Sequence, residues 1–411
     1  MRGSVRHVTL LLRKISINPL FWLVVIVAIG SFLRLYRFAD FMEIDGDHGR
    51  DILIAKHIVE FGEGHWAAPY ALGSHGDVKN SPVYYWILSG MWFISRSTVS
   101  MGIVFAVTSI IAIGIGYGAG VALGGVRLGL PFAFFLSVSS LLARDARSVW
   151  PPFLLPIITV SSLYCMTRFI RNHRLRWLVL FITILFLGVH IHQSFLPFFA
   201  VGIGWAAWYF VRNLKRATIF LTVTALHIIL WAYVTGNDAN AIQGYLRLMT
   251  ATKDIPMIFS VSVYRMIQGI ALLYSHTSTV VPFGYFAMVI ASLLLLYRRY
   301  GRGEKFMSIF ILLIGVLSYG LYGNSGGLVL REYYFRAASV MFLFILSYCA
   351  STIIRNTQLL IGFVFITGIL LNAGNGRYLQ STRGGNYFDH YQVTKHALYD
   401  YVDITQDAQA L

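Results

Sequence analysis

The chain alternates long apolar segments with short polar ones along almost its whole length. A helix that crosses a bilayer needs about 20 predominantly apolar residues, and eleven segments reach or approach that length. They lie at 19–38, 99–123, 128–143, 152–167, 177–191, 195–211, 217–234, 279–297, 306–322, 334–354 and 357–372. The pattern predicts an all-α polytopic membrane protein with about 11 transmembrane helices.

Whether segment 81–95 crosses the membrane decides the orientation of every later segment. Its length leaves the question open, because it is apolar but only fifteen residues long. If it does not cross, 17 of the 33 Lys and Arg residues and the single acid Glu304 lie on one side. The positive-inside rule makes that side, with the N-terminus, cytoplasmic. These positive residues are Arg2, Arg6, Arg13, Lys14, Arg127, Arg168, Arg171, Arg174, Arg176, Arg212, Lys215, Arg216, Arg298, Arg299, Arg302, Lys305 and Arg355.

Composition agrees with a membrane protein and excludes other classes. The chain is 57% hydrophobic and 12% charged, with a mean hydropathy of +0.66, whereas a soluble domain has about a quarter of its residues charged. The net charge of +16 is carried entirely by the predicted cytoplasmic side, so it reflects topology and not nucleic-acid binding. Cys165 and Cys349 both fall in apolar segments, which excludes a disulfide or zinc framework.

The same topology defines the domain organisation. Residues 1–372 form a transmembrane module with two large external loops, at 39–98 and 235–278, and residues 373–411 form a short external tail. Juxtamembrane helices are expected in the first loop. Any active site must therefore be built from these loops and the outer ends of the helices.

An acidic stretch in the first external loop is the strongest candidate for chemistry. Asp45, Asp47 and Asp51 lie close together in a chain that is otherwise poor in acid. If the chain is helical from Asp47 to Phe61, then Asp47, Arg50 and Asp51 share one face. A helix on the membrane surface would aim these carboxylates at a cavity. A solvated acidic loop with a capping aspartate explains the spacing equally well.

Four further polar places lie at the external membrane boundary, where unpaired charge is costly. Tyr84 and Tyr85 follow a polar entry and could line a groove or belong to the interfacial aromatic belt. Arg144 and Arg147 lie at a helix junction, where Arg147 could clamp a phosphate. The other two places hold His190 with His192, and Arg331, Tyr334 and Arg336.

Each of the last two places has two interpretations. His190 and His192 form a His-x-His pair without a third ligand, which favours hydrogen-bonding histidines over a metal site. Arg331 and Arg336 near tyrosines could bind a phosphate or diphosphate headgroup, or could anchor the helix at the interface.

The order of these motifs resembles the bacterial GT-C glycosyltransferases, a superfamily that includes protein O-mannosyltransferases and lipid A aminoarabinose transferases of the family 39 type. Asp47 aligns with the leading family aspartate of the first external loop, and His48 stands where many members have Glu or Gln. The segment Ser81-Pro-Val-Tyr-Tyr-Trp resembles the family's Gly-Pro-x-Tyr-Tyr. Arg147-Ser-Val-Trp-Pro-Pro resembles its Arg-x-x-Trp-Asn-Pro, and His190 to Gln193 its Gln-x-His helix end.

The resemblance implies an enzyme in a bacterial-type cytoplasmic (inner) membrane with its active site on the external face. It would transfer a sugar, with inversion, from a polyprenyl-phosphate donor to an external lipid, glycan or protein. Asp47 would be the general base, with Asp45 as the alternative, and Arg50 and Asp51 would orient it. It implies no certain cofactor and leaves a divalent metal open. The residues that would contact substrates are Lys79, Tyr84, Tyr85, Arg144, Arg147, His192, Arg331, Tyr334 and Arg336.

Two other classes of protein share parts of this pattern. A transporter or flippase would explain the helices, but transporters tend to place ionisable groups at mid-membrane in related halves, and no internal repeat is visible here. An O-antigen polymerase or ligase-like enzyme would share the arginine-rich external loops and would retain activity without Asp47.

Overall fold

The computed structural model describes residues 18–44, 46–62, 81–210, 214–235 and 336–381. Within these ranges the chain is helical, and its one β-type contact is an isolated parallel bridge between Glu43 and Ser148. The predicted spans at 279–297 and 306–322, the second external loop and the tail beyond 381 lie outside the described residues. The all-α fold class is confirmed for the part of the chain that the structure describes.

The α-helices are numbered here through the described ranges. They are α1 (Pro19–Leu35), α2 (Gly46–Phe61), α3 (Val83–Ser95), α4 (Thr98–Gly124), α5 (Val126–Val138), α6 (Ser140–Asp145), α7 (Leu155–Asn172), α8 (Leu175–Ile191), α9 (Leu196–Phe210), α10 (Leu214–Thr235), α11 (Arg336–Ile353) and α12 (Thr357–Ser381). Short 3₁₀ turns lie at Phe38–Asp40, Pro151–Leu154 and Gln193–Phe195.

Most of these helices coincide with the apolar segments that predict spans. Thr98–Gly124 and Pro151–Asn172 are long and apolar enough to cross a membrane by length and composition, and several others are shorter apolar helices. Large apolar side chains point outward, such as Ile94 at 85%, Leu226 at 60% and Phe365 at 60% exposure. A soluble protein would leave such surface in water, whereas lipid covers it without cost.

Local sequence explains where individual helices begin. The side chain of Asn18 accepts a hydrogen bond from the backbone N–H of Leu20 at 2.9 Å, and Pro19 occupies the first helical position of α1. Both are typical of helix starts, because the first N–H groups have no partner within the helix.

Segment 81–95 becomes α3, which spans 13 residues and so about 20 Å. That length is short of the bilayer core.

The predicted span at 128–143 is wrong as a single helix, because the chain divides it at Ser139 into α5 and α6. Ser139 leaves the helical conformation with ψ 115°, and its hydroxyl caps α6 at the backbone N–H of Leu142. The last carbonyls of α5 at Leu136 and Ser137 accept hydrogen bonds from Arg34, each at 2.8 Å. The buried guanidinium therefore replaces the helical partners that these carbonyls lack.

The helices pack as a bundle around α4, which lies against α1, α5 and α7. α8 packs on α7, α11 packs on α5, and α2 pairs with α3 beside the bundle. The approach of α4 to α5 requires glycine, because a Cβ at Gly120 would lie 2.6 Å from the Cα of Gly129. This packing brings the ends of α2, α3, α6, α7 and α11 close together.

Candidate functional site

The first two turns of α2 hold an ordered pair of carboxylates, Asp47 and Asp51. Arg50 donates from Nη1 to Asp47 Oδ1 at 2.9 Å and from Nη2 to Asp51 Oδ1 at 2.8 Å. The side chain of Asp47 is 38% exposed, whereas that of Asp51 is fully buried. All three residues share one helix face, as their spacing predicts. The carboxylate of Asp47 therefore faces outward, whereas the buried carboxylate of Asp51 holds the guanidinium of Arg50.

The carboxylate of Asp51 lies under α3. Its Oδ1 also accepts a hydrogen bond from the Tyr85 hydroxyl at 3.1 Å. Its Oδ2 has no hydrogen-bond partner among the residues that the structure describes. Burial raises the pKa of Asp51 to about 6, although the charge of Arg50 opposes that shift. A carboxyl with this pKa titrates much nearer to neutral pH than an ordinary aspartate.

The tyrosines at the start of α3 are both buried beside this carboxylate. Tyr84 is 1% and Tyr85 4% exposed, and their rings meet edge to face at 5.3 Å. Burial raises the pKa of both phenols, so both remain hydrogen-bond donors. Just before α3, the hydroxyl of Ser81 lies 2.9 Å from Nδ1 of His190. The segment that leads into α3 is thereby tied to the end of α8.

The junction between α6 and α7 is held against the segment that leads into α2. The backbone N–H of Glu43 donates to the Arg147 carbonyl at 3.2 Å, and the Ser148 hydroxyl donates to the Glu43 carbonyl at 2.9 Å. Oγ of Ser148 also lies 2.9 Å from Nδ1 of His48. These contacts place the first turn of α2 beside a junction about 100 residues away in sequence.

Three arginines near this junction are almost completely buried, namely Arg34, Arg147 and Arg336, at 1–2% exposure. Arg147 donates to the Leu33 carbonyl at 2.8 Å and lies over the ring of Phe41.

Arg336, at the start of α11, donates from Nη2 to Asp145 at 2.9 Å and pairs with it again through Nε. Three buried guanidiniums at one junction concentrate positive charge there, and such a region suits an anionic ligand.

The remaining predicted site residues fall into two groups. Arg144 is half-buried on α6, and His192 directly follows α8, where its ring lies 6.5 Å from that of Trp150. The other predicted contacts, Asp45, Lys79, Arg331 and Tyr334, lie outside the described residues. The structure thus brings together Asp47, Arg50, Asp51, Tyr84, Tyr85, Arg147, His192 and Arg336 at one end of the bundle.

Sequence reasoning missed several members of this cluster. Arg34 could have been found as a charged residue inside an apolar segment, which is a costly placement. Asp145 and Ser148 give no comparable signal, because their partners Arg336 and His48 are distant in sequence. Among the described residues, no group of three or more His, Cys, Asp or Glu could hold a metal ion.

Solved structures share this architecture. ArnT from Cupriavidus metallidurans bound to undecaprenyl phosphate superposes with a TM-score of 0.55 at 13% identity, covering 86% of this chain and 63% of that one. The Archaeoglobus fulgidus oligosaccharyltransferase with Zn and sulfate gives 0.53 at 15% identity, covering 86% and 53%. The same oligosaccharyltransferase tethered with an acceptor peptide that contains the NVT sequon gives 0.54 at 14% identity, covering 89% and 55%.

The chain therefore spans less than two thirds of the length of these proteins. No model of a protein family matches the sequence, and no curated protein matches it. Both groups of solved structures are GT-C glycosyltransferases. At these identities the likeness shows the fold alone, and that fold is the GT-C fold of polytopic membrane proteins.

Proposed function

Because the chain has the GT-C fold, we propose that it transfers a hexosyl or pentosyl group from a polyprenyl-phosphate donor to an external lipid, glycan or protein. One observation carries the proposal. The outward carboxylate of Asp47, the buried arginines Arg147 and Arg336, and the histidine at 192 come from four distant parts of the sequence and meet at one end of the bundle. A packing role alone would not require this set of groups.

The proposed reaction is an inverting displacement at the anomeric carbon of the donor sugar. The acceptor oxygen forms a bond to that carbon, while the bond from carbon to the phosphate oxygen breaks and polyprenyl phosphate leaves with the electron pair. Asp47 takes the proton of the acceptor group as general base. The transition state resembles an oxocarbenium ion, so negative charge grows on the leaving phosphate.

The contacts of Asp47 support its role as the base. Arg50 holds its Oδ1 at 2.9 Å, Asp51 accepts from Arg50 in turn, and the Tyr85 hydroxyl donates to Asp51. The outward carboxylate is therefore presented in one orientation, which a general base requires. Asp45 is the alternative base.

The buried arginines support the other half of the reaction. Arg147 and Arg336, with Arg331 and Lys79 in the proposal, would stabilise the charge that develops on the phosphate. The Asp145–Arg336 pair keeps one guanidinium at the site before the donor binds. Positive charge held in place beforehand needs little rearrangement during the reaction.

The first experiment measures transfer from radiolabelled polyprenyl-phosphate sugars by wild type and Asp47→Asn in right-side-out and inverted vesicles. Asn keeps the shape of the side chain and removes the base, so activity on the external face should fall at least about 100-fold. Asp40→Asn is the matched control, because Asp40 lies in an exposed ion pair with Arg37.

Unchanged transfer in Asp47→Asn would overturn the assignment of the base and direct attention to Asp45. Absence of transfer from every donor would overturn the proposed activity. Transfer only from the opposite side of the vesicles would contradict an external site.

A further inference from the structure

At the turn between α7 and α8, two aromatic rings lie against the guanidinium of Arg168. The guanidinium lies 5.9 Å from the centre of the Tyr164 ring and 5.4 Å from the centre of the Trp177 ring. The two rings meet edge to face at 5.6 Å. The guanidinium of Arg176 lies 5.2 Å from the centre of the same indole. One indole therefore contacts two positive charges.

The short turn brings these groups together. Only two residues, His173 and Arg174, join α7 to α8, and His173 takes the left-handed conformation with φ 49°. Tyr164 and Arg168 are four residues apart and therefore share one face of α7. Trp177 lies in the first turn of α8, which packs on α7. The contacts thus follow from the local sequence of a tight helical hairpin.

Two N–H groups at this contact have no acceptor among the described residues. Nε of Arg168 and Nε1 of Trp177 are both buried, although the two side chains as a whole are only half-buried and reach the surface of the turn. Both groups can only donate. A buried N–H without an acceptor costs free energy, and a ligand that supplies the acceptor removes this cost. Acceptor oxygens on an anion suit both groups, because the guanidinium is positively charged.

The surrounding sequence supplies no anion of its own. Residues 146–237 contain neither Asp nor Glu. No carboxylate among the described residues pairs with the four arginines of this turn and its flanking helix ends, which are Arg168, Arg171, Arg174 and Arg176. The last three are exposed. Positive charge therefore accumulates here and attracts anions from outside the protein.

The turn lies at the depth of phospholipid head groups. Helix Pro151–Asn172 has the length and composition of a membrane span. Its 22 residues extend about 33 Å, whereas the hydrocarbon core is about 30 Å thick. Arg168 and Trp177 are each within about one turn of a helix end. The sequence predicts that this turn faces the cytoplasmic leaflet, whose anionic lipids attract Lys and Arg.

We propose that the α7–α8 turn binds the head group of an anionic phospholipid. One phosphate oxygen accepts from Nε of Arg168 and another from Nε1 of Trp177, while the three exposed arginines surround the head group. This inference is independent of the proposed function, because it concerns the opposite ends of α7 and α8.

The same contacts select a head group with a net negative charge. The ammonium of phosphatidylethanolamine or phosphatidylcholine would lie among four arginines, where like charges repel. An aromatic face can bind such a cation, but guanidiniums already lie over the rings of Tyr164 and Trp177. Phosphatidylglycerol carries hydroxyl groups in place of the ammonium. The site should therefore prefer phosphatidylglycerol.

Two substitutions that conserve the charge separate a specific site from general attraction. Trp177→Phe keeps an aromatic ring beside Arg168 and removes the indole N–H. Arg168→Lys keeps the positive charge and removes Nε–H together with the planar guanidinium. A surface that attracts lipid through charge alone predicts no change in either variant, whereas the site predicts weaker binding in both.

The measurement is native mass spectrometry of the full-length protein in detergent, titrated with phosphatidylglycerol or with phosphatidylethanolamine that has the same acyl chains. Wild type should bind phosphatidylglycerol more tightly. Trp177→Phe and Arg168→Lys should each weaken that binding about 3- to 10-fold, and Arg168→Gln should weaken it at least about 10-fold, because it loses a charge-assisted contact. Phosphatidylethanolamine reports general adsorption of lipid, so its affinity should stay at the wild-type value in every variant.

Arg96→Gln is the matched control for loss of an arginine that contacts a ring. Arg96 is exposed and its guanidinium lies 5.9 Å from the centre of the Phe93 ring, but it directly follows α3 and lies outside the α7–α8 turn. Its variant should bind phosphatidylglycerol like wild type. Equal losses in Arg96→Gln and Arg168→Gln would overturn the site.

Three other results would also contradict the proposal. The first is wild-type affinity for phosphatidylglycerol in both charge-conserving variants, which keeps the test decisive if Arg168→Gln does not fold. The second is equal affinity of wild type for the two lipids. The third is displacement of phosphatidylglycerol by an equal concentration of inorganic phosphate, because the ligand would then be free phosphate and not a lipid.

Discussion

The two ends of the α7–α8 helix pair use arginine in opposite ways. Near the start of α7, Arg147 and Arg336 are each 2% exposed and donate to a backbone carbonyl and to a carboxylate. At the turn between the helices, Arg171, Arg174 and Arg176 are exposed. The 18 residues of α7 separate these ends by about 27 Å.

This difference shows where the fold retains charge at a cost in stability. Burying an ion costs several kcal/mol even when it is paired, whereas an exposed arginine keeps its hydration. A chain that needed only to span the membrane would gain nothing from the buried set. The exposed arginines suffice to define the predicted cytoplasmic side, and the buried ones lie at the end of the bundle where we propose that the donor phosphate binds.

The largest effect is expected from Asp145→Asn at the buried end. The substitution leaves the guanidinium of Arg336 buried against an amide, and breaking such a pair costs about 3–5 kcal/mol. The measurement is thermal or denaturant unfolding of the protein in detergent. Asp40→Asn, in an exposed pair, should stay close to wild type. Equal effects of the two substitutions would remove the distinction between buried and exposed charge.

The next largest effect depends on pH and on Asp51. Because its pKa is raised from 3.8 to about 6, the folded protein holds this proton more tightly than the unfolded chain. Stability relative to Asp51→Asn should therefore be lost as pH rises from about 4 to about 6, by at most about 3 kcal/mol. Unfolding of both proteins across this pH range tests the prediction. If the stability of the two proteins changed in parallel with pH, burial would not raise the pKa of Asp51.

A smaller effect is expected from Ser148→Ala, which removes the hydroxyl between the Glu43 carbonyl and His48. A buried carbonyl and Nδ1 of the imidazole then lose a partner, at about 1–3 kcal/mol. Transfer should fall as well, because α2 keeps only the backbone bond from Glu43 to Arg147 among the hydrogen bonds described above that hold it to the junction.

The control for this substitution is Ser351→Ala, near the end of α11. The Ser351 hydroxyl also donates to a backbone carbonyl, at 2.8 Å, but within its own helix. Ser351→Ala should leave transfer unchanged. If both serine variants transfer sugar at the wild-type rate, the link between α2 and the junction has no functional role.

The sequence predicted those features that depend on local pattern. Spans follow from the length of apolar runs, and the shared face of Asp47, Arg50 and Asp51 follows from their spacing within one helix. The order of motifs along the chain was enough to imply the GT-C fold, which the structural similarity confirms. None of these inferences needs a contact between distant segments.

Features that depend on long-range contacts could not be predicted. The division at Ser139 is stabilised by Arg34, whose carbonyl acceptors lie 102 and 103 residues away. Asp145 and Arg336 are 191 residues apart, and His48 and Ser148 are 100 apart. A local pattern contains no information on which distant group satisfies a buried charge. Hence Arg147 and Arg336 were predicted as phosphate ligands, but their burial and their protein partners were not.

The smallest effect is expected from Arg176→Gln at the exposed end. The guanidinium of Arg176 lies 5.2 Å from the centre of the Trp177 ring, and an exposed cation–π contact is worth about 0.5–1 kcal/mol. Arg168 stacks on the same indole at 5.4 Å and retains that contact in the variant. Stability should therefore change by about 0.5 kcal/mol or less, with transfer unchanged. A large loss of transfer in this variant would mean that the two ends are coupled through α7 and α8, because a solvated arginine about 27 Å away has no direct route to the site.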